Sequence, residues 1–209
     1  MTKYILVCFL TAHLVLAQSF NVKKSGQVTF DFYDKAGRNY ATFYSTTPLE
    51  DITGTANGIS GIVTFNTSDF ANTLKGEITV EVESINTGIE LRNQHLRSKN
   101  WLNSKKYPYI KFVVKSVNNV KQISGNKLTF DVIGNFTLHG VTKEIIANAE
   151  AIYLEENEET KKRAEGDLLG IRGKFFIMLS DFNIDNQIIG SKVAEKINIE
   201  INMIGVRTK

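Results

Sequence analysis

LTFDVIGNFTL, residues 128–138, decides the fold: Leu128, Phe130, Val132, Phe136 and Leu138 fall on one face, and Thr129, Asp131, Asn135 and Thr137 on the other. Successive side chains of a strand point to opposite faces, so this period of two predicts a β-strand buried on one side and wetted on the other. The pattern recurs in both directions along the chain. Ile78, Val80 and Val82 alternate with Glu77, Thr79, Glu81 and Glu83, and Ile197, Ile199, Ile201 and Met203 alternate with Asn198, Glu200 and Asn202. Residues 28–34, 40–46, 49–56, 59–66, 109–117, 142–154 and 167–179 read as further strands. Such a series predicts an all-β protein of antiparallel strands.

Turn chemistry separates the runs. Asn57-Gly58 suits a two-residue hairpin turn, and Ser124-Gly125-Asn126 and His139-Gly140 punctuate the next hairpins. The only prolines are Pro48 and Pro108, so little interrupts the ladders. Several strands reach ten residues or more, roughly 33 Å at about 3.3 Å per residue, which suits a tall, tilted barrel of about eight strands. One stretch departs from the period. IELRNQHLRSKNWLNS, residues 89–104, follows Asn86-Thr87-Gly88 and contains good helix formers, with Leu91, His95 and Leu102 at helical spacing. A short helix here either covers one barrel opening or packs on the outer wall, and spacing does not choose between them. Residues 155–166, EENEETKKRAEG, read as a solvated loop.

The chain has 209 residues, 42% hydrophobic and 22% charged, enough for one sizeable core. Its net charge of +3 is dispersed rather than gathered into a phosphate-binding stripe, which argues against a nucleic-acid partner. At the start, Lys3 precedes an apolar run ending in Val15-Leu16-Ala17, the pattern of a secretory signal cleaved after Ala17. A membrane anchor is the bland alternative, but the run is broken by Thr11 and His13 and falls short of the roughly 20 residues a span needs. Residues 1–17 are therefore expected to be removed and 18–209 to form one exported domain, periplasmic or secreted. Cys8, the only cysteine, lies in the removed segment, so the mature protein has neither disulfides nor thiolate chemistry.

Signals of catalysis are sparse. His95 and His139 have no companions at metal-ligand spacing, and neither a GxSxG elbow nor a phosphate loop occurs. His139 reads as a turn residue capping its own backbone. His95, with Arg92 and Arg97 nearby, either meets a polar head group at a barrel mouth or is a partly buried structural histidine. Asp181 and Asp185 flank Phe182 as ordinary turn carboxylates. What stands out is 13 Phe, 7 Tyr and 1 Trp, many on the apolar faces of strands. They either fill a core or line a lumen, and a tall barrel cannot easily fill its whole height with its own side chains.

Ser84-Ile85-Asn86-Thr87-Gly88, Arg92, His95-Leu96-Arg97, Trp101-Leu102 and Tyr107-Pro108-Tyr109-Ile110-Lys111-Phe112 together resemble the central signature of the YceI-like family. Residues 134–143 (GNFTLHGVTK), 175–184 with its Leu-Ser-Asp-Phe-Asn-Ile, and 193–204 continue the resemblance in order. The sequence departs from the family where Asn93 replaces an acidic residue, where an aromatic pair is reduced to Trp101-Leu102, and where 34–58 is longer. The resemblance implies an extended lipocalin-like antiparallel barrel, usually periplasmic, that binds a polyisoprenoid or quinone and has no cofactor, metal or established catalytic residues. On that reading the ligand touches Phe30, Phe32, Ile78, Val80, Val82 and Phe112, then Val114, Phe130, Phe136, Phe175, Ile177, Ile199 and Ile201, with His95, Leu96 and Trp101 near an opening. A tail of about twenty carbons gains roughly 10–16 kcal/mol gross from burial before ordering costs. Transient contact with a membrane or a membrane redox protein fits this picture, and the oligomeric state stays open, a homodimer included. The rival readings are a hydrolase or isomerase using His95 with a nearby carboxylate, and an integral outer-membrane barrel.

Overall fold

The computed structural model describes residues 19–208; the expected signal segment, its cleavage after Ala17 and Cys8 lie outside them. In order, the strands are β1 (Gln27–Asp31), β2 (Tyr40–Thr46), β3 (Asp51–Ala56), β4 (Ile59–Asn66), β5 (Lys75–Glu81), β6 (Ile85–Asn86), β7 (Tyr109–Ser124), β8 (Lys127–Leu138), β9 (Val141–Leu154), β10 (Leu168–Met178) and β11 (Lys196–Arg207). All pair antiparallel in one sheet that closes where β1 meets β11. Along β8 every second side chain is buried, the alternation its sequence predicts.

Pairing reduces these segments to eight staves. β1 and β2 both lie along β11, with Asp31 opposite Val206 and Tyr40 to Tyr44 opposite Asn202 to Asn198. β4 follows β1 while β3 follows β2, and β5 and β6 stand beside β4 and β3 in turn. Each of these pairs is one tall strand interrupted partway, and with β7 to β11 they form a closed eight-stranded, lipocalin-like barrel. Outward side chains carry cross-strand ion pairs, Lys111–Glu77 at 2.7 Å, Lys127–Glu150 at 2.7 Å and Lys174–Glu200 at 2.8 Å. These pairs place charge on the outer face, where the wall of a membrane barrel carries an apolar band.

Several expectations need correction. Asn57-Gly58 is no hairpin turn: β3 and β4 are not paired with each other, and the dipeptide is the joint inside one stave. Glycine is required there by close approach, since a Cβ on Gly58 would lie 2.9 Å from the Glu81 Cβ and 3.0 Å from the Ser84 Cβ. The strand expected to reach Asp34 stops at Asp31, and the one expected to begin at Leu49 begins at Asp51. Val82 leaves the strand for a 3-10 turn, Val82–Ser84, yet stays buried. Strand β7 runs on to Ser124 by absorbing three register shifts against β8. The helix expected over 89–104 is only α2 (Glu90–Arg97), because Ser98 is extended and the chain then wraps back, Leu102 N–H donating to the Leu96 carbonyl at 2.9 Å.

The loop 155–166 contains a one-turn helix with an Asn157/Thr160 capping box. It is also tied to the barrel, because Arg163 donates to Asp34 at 3.0 Å. His139, with φ +51°, makes the expected tight turn with Gly140. Its ring does not cap its own backbone but stands with Nδ1 3.1 Å from the Phe182 carbonyl, fastening the β8–β9 turn to the 3-10 turn Leu179–Phe182.

Candidate functional site

The two ends of the barrel differ. At the lower end, Phe20, Phe65 and Phe70 pack ring against ring with centroids 5.1 to 5.5 Å apart. Phe30 stacks on Phe65 at 5.8 Å, and Tyr153 meets Phe30 edge-on at 5.6 Å. Phe70 comes from a one-turn helix, α1 (Phe70–Thr73), that bridges β4 to β5 across the opening. These rings form a solid floor. Beneath it, the Tyr153 hydroxyl donates to Asp167 Oδ2 at 2.7 Å, and burial first, then that carboxylate, pushes the Tyr153 phenol well above its usual range.

Above the floor the lumen is hollow. A lower lobe of about 110 Å³ is walled by aliphatic and aromatic side chains from seven of the eight staves, with Phe70 at its base. An upper lobe of about 380 Å³ opens beside α2. Ile110 and Phe136 line both lobes, so the two meet in series at a throat. Room is made by glycine: a Cβ on Gly134 would lie 2.3 Å from the Phe112 ring, and one on Gly54 would lie 2.2 Å from the Phe43 ring.

Of the residues expected to face a ligand, Ile78, Val80, Phe112, Val114, Phe130, Phe175 and Ile201 line the lower lobe. His95, Leu96, Trp101, Ile177 and Ile199 line the upper one, and Phe136 belongs to both. Three stand elsewhere. Phe30 and Phe32 are fully buried around the floor, where β1 sits low against β11, and Val82 is buried beside the lumen in its 3-10 turn. Sequence reading missed Phe43, Ile52, Ile85 and Ile110, which the alternation of their strands would have supplied. It also missed Ile188 and Val193, which lie in irregular chain where no period exists to find them.

Helix α2 does cover the opening. Leu91, Arg92, His95 and Leu96 all line the upper lobe. Asn93, 4% exposed, holds the helix down: Oδ1 accepts from the Thr87 N–H (2.8 Å) and hydroxyl (2.9 Å), and Nδ2 donates to Asn86 Oδ1 (3.0 Å). Arg97 donates to the Ile85 carbonyl at 2.9 Å. Arg92 forms an ion pair with Glu50 at the β2–β3 hairpin, across the mouth. With Lys192, these are the charged groups at an otherwise apolar cavity. The His95 side chain has no hydrogen bond to a carboxylate among the described residues, and no cluster of three or more metal-ligating side chains occurs among them.

Comparison with known proteins agrees with this architecture. The chain is 31% identical over 200 residues to a UPF0312 protein of Photorhabdus laumondii, covering 96% of this chain and 92% of that one. It is 29% identical over 199 residues to protein YceI of Escherichia coli O157:H7, covering 95% and 92%. Among solved structures, Burkholderia cenocepacia BcnA superposes with a TM-score of 0.63 at 20% identity, covering 80% of this chain and 96% of BcnA. A polyisoprenoid binding domain from Saccharophagus degradans superposes with a TM-score of 0.62 at 15% identity, covering 88% and 100%. The profile of the YceI-like domain matches residues 33–204, and the chain belongs to that family.

Proposed function

We propose that this protein is a non-catalytic carrier that takes one long apolar lipid of the polyisoprenoid or quinone type, tail first, into its barrel. The observation that carries the reading is the shape and chemistry of the lumen: two apolar lobes in series, open above and closed below by aromatic rings. An unbranched site of that form accepts a flexible tail and leaves a polar end at the mouth, where Arg92, His95 and Lys192 stand. Apolar burial contributes about 0.8 kcal/mol per methylene without directional contacts, so few polar anchors are needed. The Saccharophagus domain, named for polyisoprenoid binding, shares this fold and suggests the ligand class. His95 at an open rim without a carboxylate partner suits head-group contact better than acid–base chemistry.

The carrier is proposed to work outside the cytoplasm after cleavage behind Ala17. Both parts are tested together by purifying the protein from the exported fraction of its host, sequencing its N-terminus and weighing its organic extract by mass spectrometry. The expected result is a chain starting at Gln18 with a prenyl-type lipid in near-stoichiometric amount. A protein that is empty as isolated and also takes up no added prenol or quinone overturns the carrier reading.

A further inference from the structure

Exposed apolar side chains are scattered singly over most of the barrel wall, as on any soluble surface. At the cavity mouth they gather. Leu49 is 74% exposed, Leu91 61%, Ile89 49% and Ile188 38%. They come from three separate segments: the tip of the β2–β3 hairpin, the start of α2, and the irregular chain after the 3-10 turn Leu179–Phe182. Ile89, Leu91 and Ile188 line the upper lobe itself, so this surface is continuous with the apolar lumen. Leu49 is not part of the lumen, but its neighbour Glu50 pairs with Arg92 of α2, which brings the hairpin tip to the same rim.

We propose that this rim docks on the surface of a lipid bilayer, Leu49, Leu91, Ile89 and Ile188 entering the acyl boundary while Lys192 stays at the level of the phosphates. The inference rests on the reading of the lumen as a lipid site, because a water-insoluble cargo has to be collected from and returned to a lipid phase. Three features favour this occupant over a second copy of the chain. Arg92 and Glu50 neutralise each other on the rim, so neither of them enters as an unpaired charge. The exposed Lys192 can bury its stem and leave its ammonium among head-group phosphates. Four side chains fall well short of the about 800 Å² per partner of a stable protein interface, whereas a few apolar insertions suffice for transient membrane contact.

The test is flotation of the purified protein with phosphatidylcholine vesicles, with and without phosphatidylglycerol. Wild type is expected to float with both, more with the anionic set. Leu49→Glu should weaken partition about tenfold, the effect of one inserted leucine, and Leu49→Ser should weaken it nearly as much, which separates lost apolar contact from added charge. Ile146→Glu, a side chain 61% exposed on the wall, should float like wild type. Uptake of a fluorescent prenol should be unchanged in the Leu49 variants. Failure of wild type to float, equal loss in the Ile146 variant, or a solution dimer that Leu49→Glu breaks would overturn the docking face. If no protein takes up the prenol, the lumen reading fails, while flotation still judges the rim.

Discussion

At Asn93, where an acidic residue is usual in the YceI-like signature, the amide does two things a carboxylate cannot do together. It accepts from Thr87 through Oδ1 and donates to Asn86 Oδ1 through Nδ2, and the Asn86 oxygen is already committed to the Gly88 N–H at 2.8 Å. Asn93→Asp would therefore set a buried carboxylate against an amide oxygen that cannot turn away without losing Gly88. The expected cost is about 1–3 kcal/mol of unfolding free energy, measured by urea denaturation, with α2 loosened over the mouth. His139 shows how far residue-level reading goes. Its place in a tight turn was legible from Leu138-His139-Gly140-Val141, because positive φ is a local matter, whereas its partner, the Phe182 carbonyl, lies 43 residues away and has no local signal.

The interrupted stave formed by β1 and β2 is the feature at the scale of elements with the clearest consequence. Strand β11 changes partner between Asn202 and Val206, which would leave the backbone of Ile204 unpaired. The buried Asn39 side chain fills that rung: Nδ2 donates to the carbonyls of Phe32 (2.8 Å) and Ile204 (3.1 Å), and Oδ1 accepts from the Ile204 N–H (2.9 Å). Asp34 closes the same excursion, its carboxylate gripped by Arg38 and reached by Arg163 from the 155–166 loop. The Arg38 hydrogen bond, with the backbone N–H groups of Ala36 and Arg38 and the Arg163 charge, outweighs burial and holds the Asp34 carboxyl down to about 2. Since the unfolded value is about 3.9, the bridge stabilises fully above that pH, and its contribution is lost as pH falls toward the folded value. Asp34→Asn is expected to be less stable than wild type at neutral pH and to lose less on acidification through that window, read from urea midpoints across a pH series.

For the whole molecule, a closed floor sets a depth limit. Phe70 lines the base of the lower lobe and meets Phe130 edge-on with centroids 5.0 Å apart, so a tail advancing down the lumen stops at these rings. Among prenols of increasing length, affinity for wild type should rise with each isoprene unit and then level off. Phe70→Ala should move that plateau to longer chains, at a stability cost of about 3–5 kcal/mol. Phe70→Leu, which removes less volume, should move it in the same direction with a smaller cost. Competition against a fluorescent prenol reads the limit directly, and identical length profiles in all three proteins would mean that the floor does not set it.

Strand identity and the inward face of each strand were legible in the sequence by itself, because side-chain alternation is a property of the local backbone and needs no partner, whereas the ten runs it marks become eight staves only through pairing. The tertiary structure alone decided where along the barrel axis each inward residue falls. Phe30 and Phe130 obey the same period, yet Phe30 lies opposite Arg207 and is spent on the floor, while Phe130 reaches the wall of the hollow above it. Likewise Asn57-Gly58 carries turn residues but joins two halves of one stave, since its conformation answers to Glu81 and Ser84 at the interruption of the neighbouring stave. Height, and hence filled core against open cavity, is fixed by register between strands distant in sequence, and no local pattern encodes it.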